Sequence, residues 1–201
     1  KVNFKSKYNI NQEYILFLGR FDKIKGIDTL IESINIIKSK IDQSKIKFLL
    51  MGVDFGFESK MIKMIKNYDL ENIIKIIKNP PRDDVIGAYR ESKFLVYPSR
   101  WELSPLTPLE GFAFKKTVIS STAHGIPSTI QHNKNCILVE PENPIQLSES
   151  ILELITNEKK CVDLGNSGYD LVIKQCNSEN MAKQTLETYQ QIIKESSSKT
   201  Y

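Results

Sequence analysis

The sequence predicts an α/β domain: a parallel sheet with helices on both faces, followed by an all-helical end. Three observations lead there. Short continuous apolar runs recur along the chain, as expected of strands buried on both sides. Stretches with apolar residues at helical spacing separate them, the alternation that builds parallel sheets. After the last short strand only helical patterns follow.

Lys1–Asn11 is polar and reads as a linker or hinge remnant. Strand Tyr14–Leu18 ends in Gly19, and a helix around Ile27–Lys40 follows, with Leu30, Ile31, Ile34 and Ile37 inward. Strand Ile46–Met51 ends at Gly52 and leads to helix Glu58–Tyr68, with Met61, Ile62 and Ile65 inward. Strand Ile73–Ile77 stops before Pro80 and Pro81, helix Asp83–Glu91 comes next, and strand Phe94–Pro98 follows. Then come helix Pro108–Phe114, strand Val118–Ser121 and a short strand Cys136–Val139. Helices Pro144–Thr156, Glu158–Lys174 and Ser178–Lys194 complete the chain, and Glu195–Tyr201 is expected to fray. This is a Rossmann-like pattern over residues 12–175, with a C-terminal helix and tail at 176–201. It carries no G-x-G-x-x-G, so a dinucleotide redox cofactor is not expected.

The most informative stretch is Ser99–Gly111, which follows an apolar strand and carries Glu102 and Glu110 on either side of a loop and helix start. Carboxylates accept hydrogen bonds from sugar hydroxyls, and the N–H groups of a helix start attract phosphate. Glu110 has a second reading: Thr107-Pro108-Leu109-Glu110 fits a capping box, with Thr107 at the N-cap. Glu102 alone would be a solvated loop acid. Near the start, Gly19 turns the first strand into a loop bearing Arg20 and Lys25. Ligands of open α/β sheets bind outside the carboxyl ends of the strands, which sets both cations on the rim that carries the two acids. Arg offers a fork for phosphate oxygens and Lys a mobile point charge.

Gly19–Gly26 (G-R-x4-K-G), the E-x7-E pair Glu102/Glu110 and Gly125-Ile126-Pro127 stand in an order and spacing that resemble a known family. From about Tyr14 to the end, the chain is similar to the C-terminal, donor-binding domain of a retaining GT-B glycosyltransferase of the GT4 type (glycosyl transferases group 1). The resemblance implies hexose transfer from a nucleoside diphosphate sugar to an acceptor hydroxyl without a metal. Arg20 and Lys25 would hold the diphosphate and, with Glu102, act in catalysis. Gly19, Leu106 and Thr107 would line the donor site, with the amides of the last two on the distal phosphate or sugar. Glu110 would accept from the ribose hydroxyls, Glu102 would touch the transferred sugar, and Asn79–Asp84 would lie beside the base. Two departures fall on the sugar subsite: Leu103-Ser104-Pro105 replaces the usual Gly-Phe-Gly, and Ser128 and Thr129 stand where a Glu is common. A GT-B epimerase or phosphorylase, and a non-catalytic nucleotide- or glycan-binding module, are the alternatives.

A chain that starts at Lys1 is expected to be part of a longer enzyme, inactive without an N-terminal GT-B domain against which residues 176–201 would pack. The acceptor would be a glycan, a lipid-linked saccharide or another hydroxyl compound. A net charge of +4 without an aromatic-interleaved basic stripe argues against nucleic acid, while peripheral contact with an anionic membrane stays open. No apolar run approaches the ~20 residues of a membrane span, and no secretory leader is evident. Cys136, Cys161 and Cys176 have no metal or redox spacing and read as thiols of a reducing compartment, which suggests a cytoplasmic protein. His124 and His132 are not spaced as ligands, so no metal site is expected.

Overall fold

The computed structural model describes residues 4–104 and 106–198. Six parallel strands, β1 (Glu13–Leu18), β2 (Ile46–Gly52), β3 (Ile74–Lys78), β4 (Leu95–Tyr97), β5 (Val118–Ser121) and β6 (Ile137–Val139), form one sheet in the order β3-β2-β1-β4-β5-β6. The order reverses between β1 and β4, which opens a crevice at their carboxyl ends.

Alternation along each strand feeds two cores. Ile15 and Phe17 of β1 face helices α2 (Ile27–Ile37), α3 (Glu58–Asn67) and α7 (Pro144–Thr156). Tyr14 and Leu16 face the other side, covered by α4 (Arg82–Glu91), α5 (Leu106–Ala113) and the end of α8 (Glu158–Lys174). Both faces are buried, which is why Tyr14–Leu18 of β1 reads as an unbroken apolar run.

Boundaries differ from the sequence reading where local turns intervene. The first long helix ends at Ile37, because the Lys40 amide closes a tight turn on the Ile37 carbonyl at 2.8 Å. Helix α5 begins at Leu106, ahead of Pro108. Two short helices, α1 (Phe4–Lys7) and α6 (Ile126–Thr129), and a 3₁₀ turn at Lys23–Lys25 were not legible from periodicity, being too short to show one.

The described part of the polar N-terminal stretch docks on the domain. Phe4 is buried against the bare α-carbon of Gly87, and the Glu91 carboxylate accepts from the Phe4 and Lys5 amides at 3.1 Å each. At the other end, α9 (Ser178–Ser198) is helical through the segment expected to fray, and residues 199–201 lie outside the described residues. Its apolar side chains Met181, Leu186, Tyr189 and Ile193 are exposed. Among the described residues no helix is long and apolar enough to cross a membrane.

Candidate active site

The loop after β1 is shaped by its own residues. The Asp22 carboxylate caps the 3₁₀ turn by accepting from the Lys25 amide at 3.0 Å. Gly26 then reverses the chain at φ +68°, where a Cβ would stand 1.9 Å from the Pro98 carbonyl oxygen. A side chain there is excluded twice, by the left-handed backbone and by the neighbouring strand end. This close approach seats the β1 loop against the loop after β4.

The two loops are stitched together. The Ile24 carbonyl accepts from the Arg100 amide at 2.7 Å and from Ser99 Oγ at 3.0 Å. Arg100 reaches back with its guanidinium to Asp28 at 2.6 Å, to the Lys23 carbonyl at 2.5 Å and to Glu142 at 2.7 Å. Burial opposes the charge of Arg100, and the bonds to Asp28 and Glu142 more than offset it, so its pKa is raised. From the far side, the Gly125 amide donates to the Glu102 carbonyl at 2.8 Å, and a Cβ on Gly125 would meet the Leu103 carbonyl oxygen at 1.8 Å. The Gly-Ile-Pro segment therefore supports the acid-bearing loop from beneath.

Lys25 and Glu102 meet within this frame. Lys25 Nζ pairs with Glu102 Oε1 and lies 3.0 Å from the Tyr97 hydroxyl, which itself donates to Glu102 Oε1. Ser99 Oγ stands 3.4 Å from the same oxygen, so the contacts of Glu102 converge on Oε1 among the described residues. Arg20 is on the same rim but is held separately: it pairs with Asp22 at 3.1 Å and lies 4.9 Å over the Phe55 ring.

Glu110 does not close a capping box. Because α5 starts at Leu106, Thr107 lies inside the helix, and the Glu110 side chain crosses to α4. There it accepts from the Tyr89 hydroxyl at 2.6 Å and from Arg82 at 3.3 Å. Arg82 belongs to the segment Asn79–Asp84, which is thus linked to Glu110, whereas Asp84 at its end pairs with Lys7 and Tyr8 of the N-terminal stretch. Burial, and then the hydrogen bonds to Glu102 and Glu110, push the phenols of Tyr97 and Tyr89 far above the ordinary tyrosine range; Thr107 pulls both the other way. Both phenols stay protonated donors.

Gly19, Arg20, Lys25 and Glu102 are thus gathered at the carboxyl ends of β1 and β4, while Glu110 forms a second cluster with Arg82 and Tyr89. Leu106 is exposed at the helix start, and Pro105 lies outside the described residues. Tyr97, Tyr89 and Arg100 escaped the sequence reading. The usable signal for Tyr97 was a phenol at the last position of an apolar strand, directly before the Pro-Ser turn. His124 is exposed, with its ring 6.0 Å from that of Trp101. Among the described residues no group of three or more His, Cys, Asp or Glu side chains could hold a metal ion.

An open parallel sheet with an ionic cluster at its switch point defines a Rossmann-like domain of the kind that binds ligands at strand ends. The chain belongs to the glycosyl transferases group 1 family, whose model matches residues 1–171. Its fold is that of the C-terminal domain of a GT-B glycosyltransferase. It is 34% identical over 171 residues to an uncharacterized glycosyltransferase of Methanocaldococcus jannaschii, a match covering 83% of this chain and 45% of that protein. The crystal structure of a glycosyltransferase from Rickettsia africae superposes with a TM-score of 0.85 and 28% identity, covering 94% of this chain and 51% of the other. In fold alone, the chain is also similar to the C-terminal domain of a glycosyl transferase group 1 family protein from Francisella tularensis. There the TM-score is 0.76 and the identity 23%, with 89% of this chain and 95% of that domain covered. The chain spans about half or less of the curated relatives it matches.

Proposed function

We propose that this chain is the donor-binding half of a retaining hexosyltransferase that uses a nucleoside diphosphate sugar and needs no metal. The observation that carries the reading is the meeting of Lys25 and Glu102 at the switch point, with Arg20 on the same rim. A diphosphate leaving group and a polyhydroxylated sugar need just such a pairing of fixed cations with an acceptor carboxylate.

In the proposed reaction the bond between the anomeric carbon and the diphosphate oxygen breaks. The acceptor hydroxyl oxygen bonds to that carbon on the same face, and its proton passes to the departing diphosphate. Lys25, Arg20 and the amides at the start of α5 stabilise the charge as it develops on the diphosphate. Glu102, with Oε1 already engaged, turns Oε2 to a sugar hydroxyl. Glu110, oriented by Tyr89, accepts from the ribose hydroxyls, and Arg82 lies beside the base. An N-terminal domain supplies the acceptor site, so this chain alone binds donor without turning it over.

The test is calorimetric titration of the natural-length protein with UDP, GDP and ADP, without metal, beside a Glu110→Ala variant. Selective binding of one diphosphate, weakened about tenfold in the variant, is expected for the loss of hydrogen bonds to a charged group. No binding of any of the three overturns the reading. Binding without sugar transfer to any acceptor favours a non-catalytic module, the alternative that rests on the Leu103-Ser104-Pro105 departure from the family pattern.

A further inference from the structure

We propose that Tyr97 is a positioning residue of this donor site, its hydroxyl setting the geometry of Lys25 and Glu102 together. The proposal rests on the donor-binding reading above.

The phenol is fixed before any ligand arrives. Tyr97 is the last residue of β4, and its backbone pairs in register with Ser120 of β5. Ser120 Oγ donates to the Tyr97 carbonyl at 3.0 Å. The ring is buried in the core beneath the rim. Only the hydroxyl reaches the site, where it lies 3.0 Å from Lys25 Nζ and bonds Glu102 Oε1.

Hydrogen bookkeeping admits one arrangement. A carboxylate only accepts, an ammonium only donates, and a phenol has one proton and free lone pairs. The Tyr97 hydroxyl therefore accepts from Lys25 and donates to Glu102. Lys25 directs one N–H at the phenol and one at Glu102, which leaves a third for a phosphate oxygen. On the acid, the phenol and the ammonium both hold Oε1, so Oε2 is the oxygen presented to a sugar. A lysine side chain is a flexible four-carbon stem. Without the hydroxyl, the ammonium keeps Glu102 but loses the second contact that fixes its direction, so its third N–H is no longer aimed at one place and the diphosphate must order it. A buried phenol needs some partner whatever its role. The experiment therefore has to separate positioning from simple satisfaction of a polar group.

The natural-length protein and its Tyr97→Phe, Lys25→Met and double variants are titrated with UDP, GDP and ADP and with the matching monophosphates. Phe keeps the buried ring and Met keeps the lysine stem, and melting curves check that each variant folds. Tyr97→Phe is expected to weaken the diphosphate about tenfold and the monophosphate by less than about twofold. The double variant is expected to bind no more weakly than Lys25→Met, since the two groups act as one unit. If Lys25→Met weakens the diphosphate and Tyr97→Phe does not, or if Tyr97→Phe weakens both nucleotides alike, the positioning role is overturned and the donor reading stands. If no diphosphate binds the wild type, or Lys25→Met leaves binding unchanged, the donor reading falls and the proposal with it.

Discussion

Lys25 and Glu102 lie 77 positions apart and meet as an ion pair between the loops that follow β1 and β4. Their side chains are only 13% and 12% exposed, so the pair is enclosed by the protein rather than screened by water. Arg20, on the same rim, is 47% exposed and rests on Asp22 and Phe55 instead.

That contrast separates the two cations experimentally. Arg20→Ala and Lys25→Ala should each cut turnover of the natural-length enzyme by about 100-fold or more, the usual cost of one donor to a developing anion. Only Lys25→Ala should also lower stability, by about 2 kcal/mol, because it leaves Glu102 without its cation in an enclosed site where the Tyr97 hydroxyl still bonds it. Steady-state kinetics with thermal melts on both variants check this. Near wild-type rates in both would sink the assignment.

Gly26→Ala should destabilise the domain by about 3 kcal/mol, combining a left-handed backbone with a clash. Gly26→Asn should do no better. Asn tolerates φ +68°, but its Cβ would still lie 1.9 Å from the Pro98 oxygen. Urea melts of the two variants decide whether the clash or the backbone angle dominates.

Arg100→Lys should cost about 1–3 kcal/mol and lower turnover as well. The planar fork reaches Asp28, Glu142 and the Lys23 carbonyl at once, and a single ammonium cannot. Loss of that clamp loosens the turn carrying Lys25. Denaturant midpoints and kcat of the variant test it, and an unchanged kcat would confine Arg100 to stability.

Acid should undo the docking of α1 on α4. Lys7 first, then Tyr8, hold the Asp84 carboxyl below its ordinary 3.8. A lowered folded-state value means that this stabilisation is complete above the unfolded pKa and is lost as pH falls through the folded one. The Tyr8 phenol, pushed up to about 12 by burial and by Asp84, stays protonated throughout and adds no slope. Urea midpoints from about pH 5 to pH 2 should therefore fall more steeply for the wild type than for Asp84→Asn. Parallel curves would show that Asp84 is energetically idle.

How much was legible depended on how local each signal was. Tyr14–Leu18 and Ile46–Met51 read as strands within a residue of their observed ends, because burial on both faces leaves an apolar run that is unbroken in the first and interrupted only by Lys47 in the second. The rule that βαβ loops gather at strand ends set Arg20 and Lys25 on one rim with both acids; Lys25 meets Glu102 there with Arg20 alongside, whereas Glu110 turns to Tyr89 and Arg82. Thr107–Glu110 left two readings open, since the same four residues fit a cap or a helix interior, and only the start of α5 at Leu106 distinguishes them. Phe4 went unnoticed because one apolar residue in a polar stretch has no periodicity, yet it is 3% exposed against α4.

By itself, then, the sequence determined the elements, their alternation, the fold class and the rim on which the charged residues stand, because each depends on neighbours within a few turns of chain. Only the tertiary structure decided the partners: Lys25 with Glu102 rather than with Asp22, Glu110 with Tyr89 rather than with its own helix start, Arg100 with Asp28 and Glu142, and the Tyr97 hydroxyl between the first pair. Such pairings join residues that only packing of the sheet brings within hydrogen-bond reach, and a hydrogen bond fails within a fraction of an ångström. No pattern along one strand or helix encodes a distance that fine.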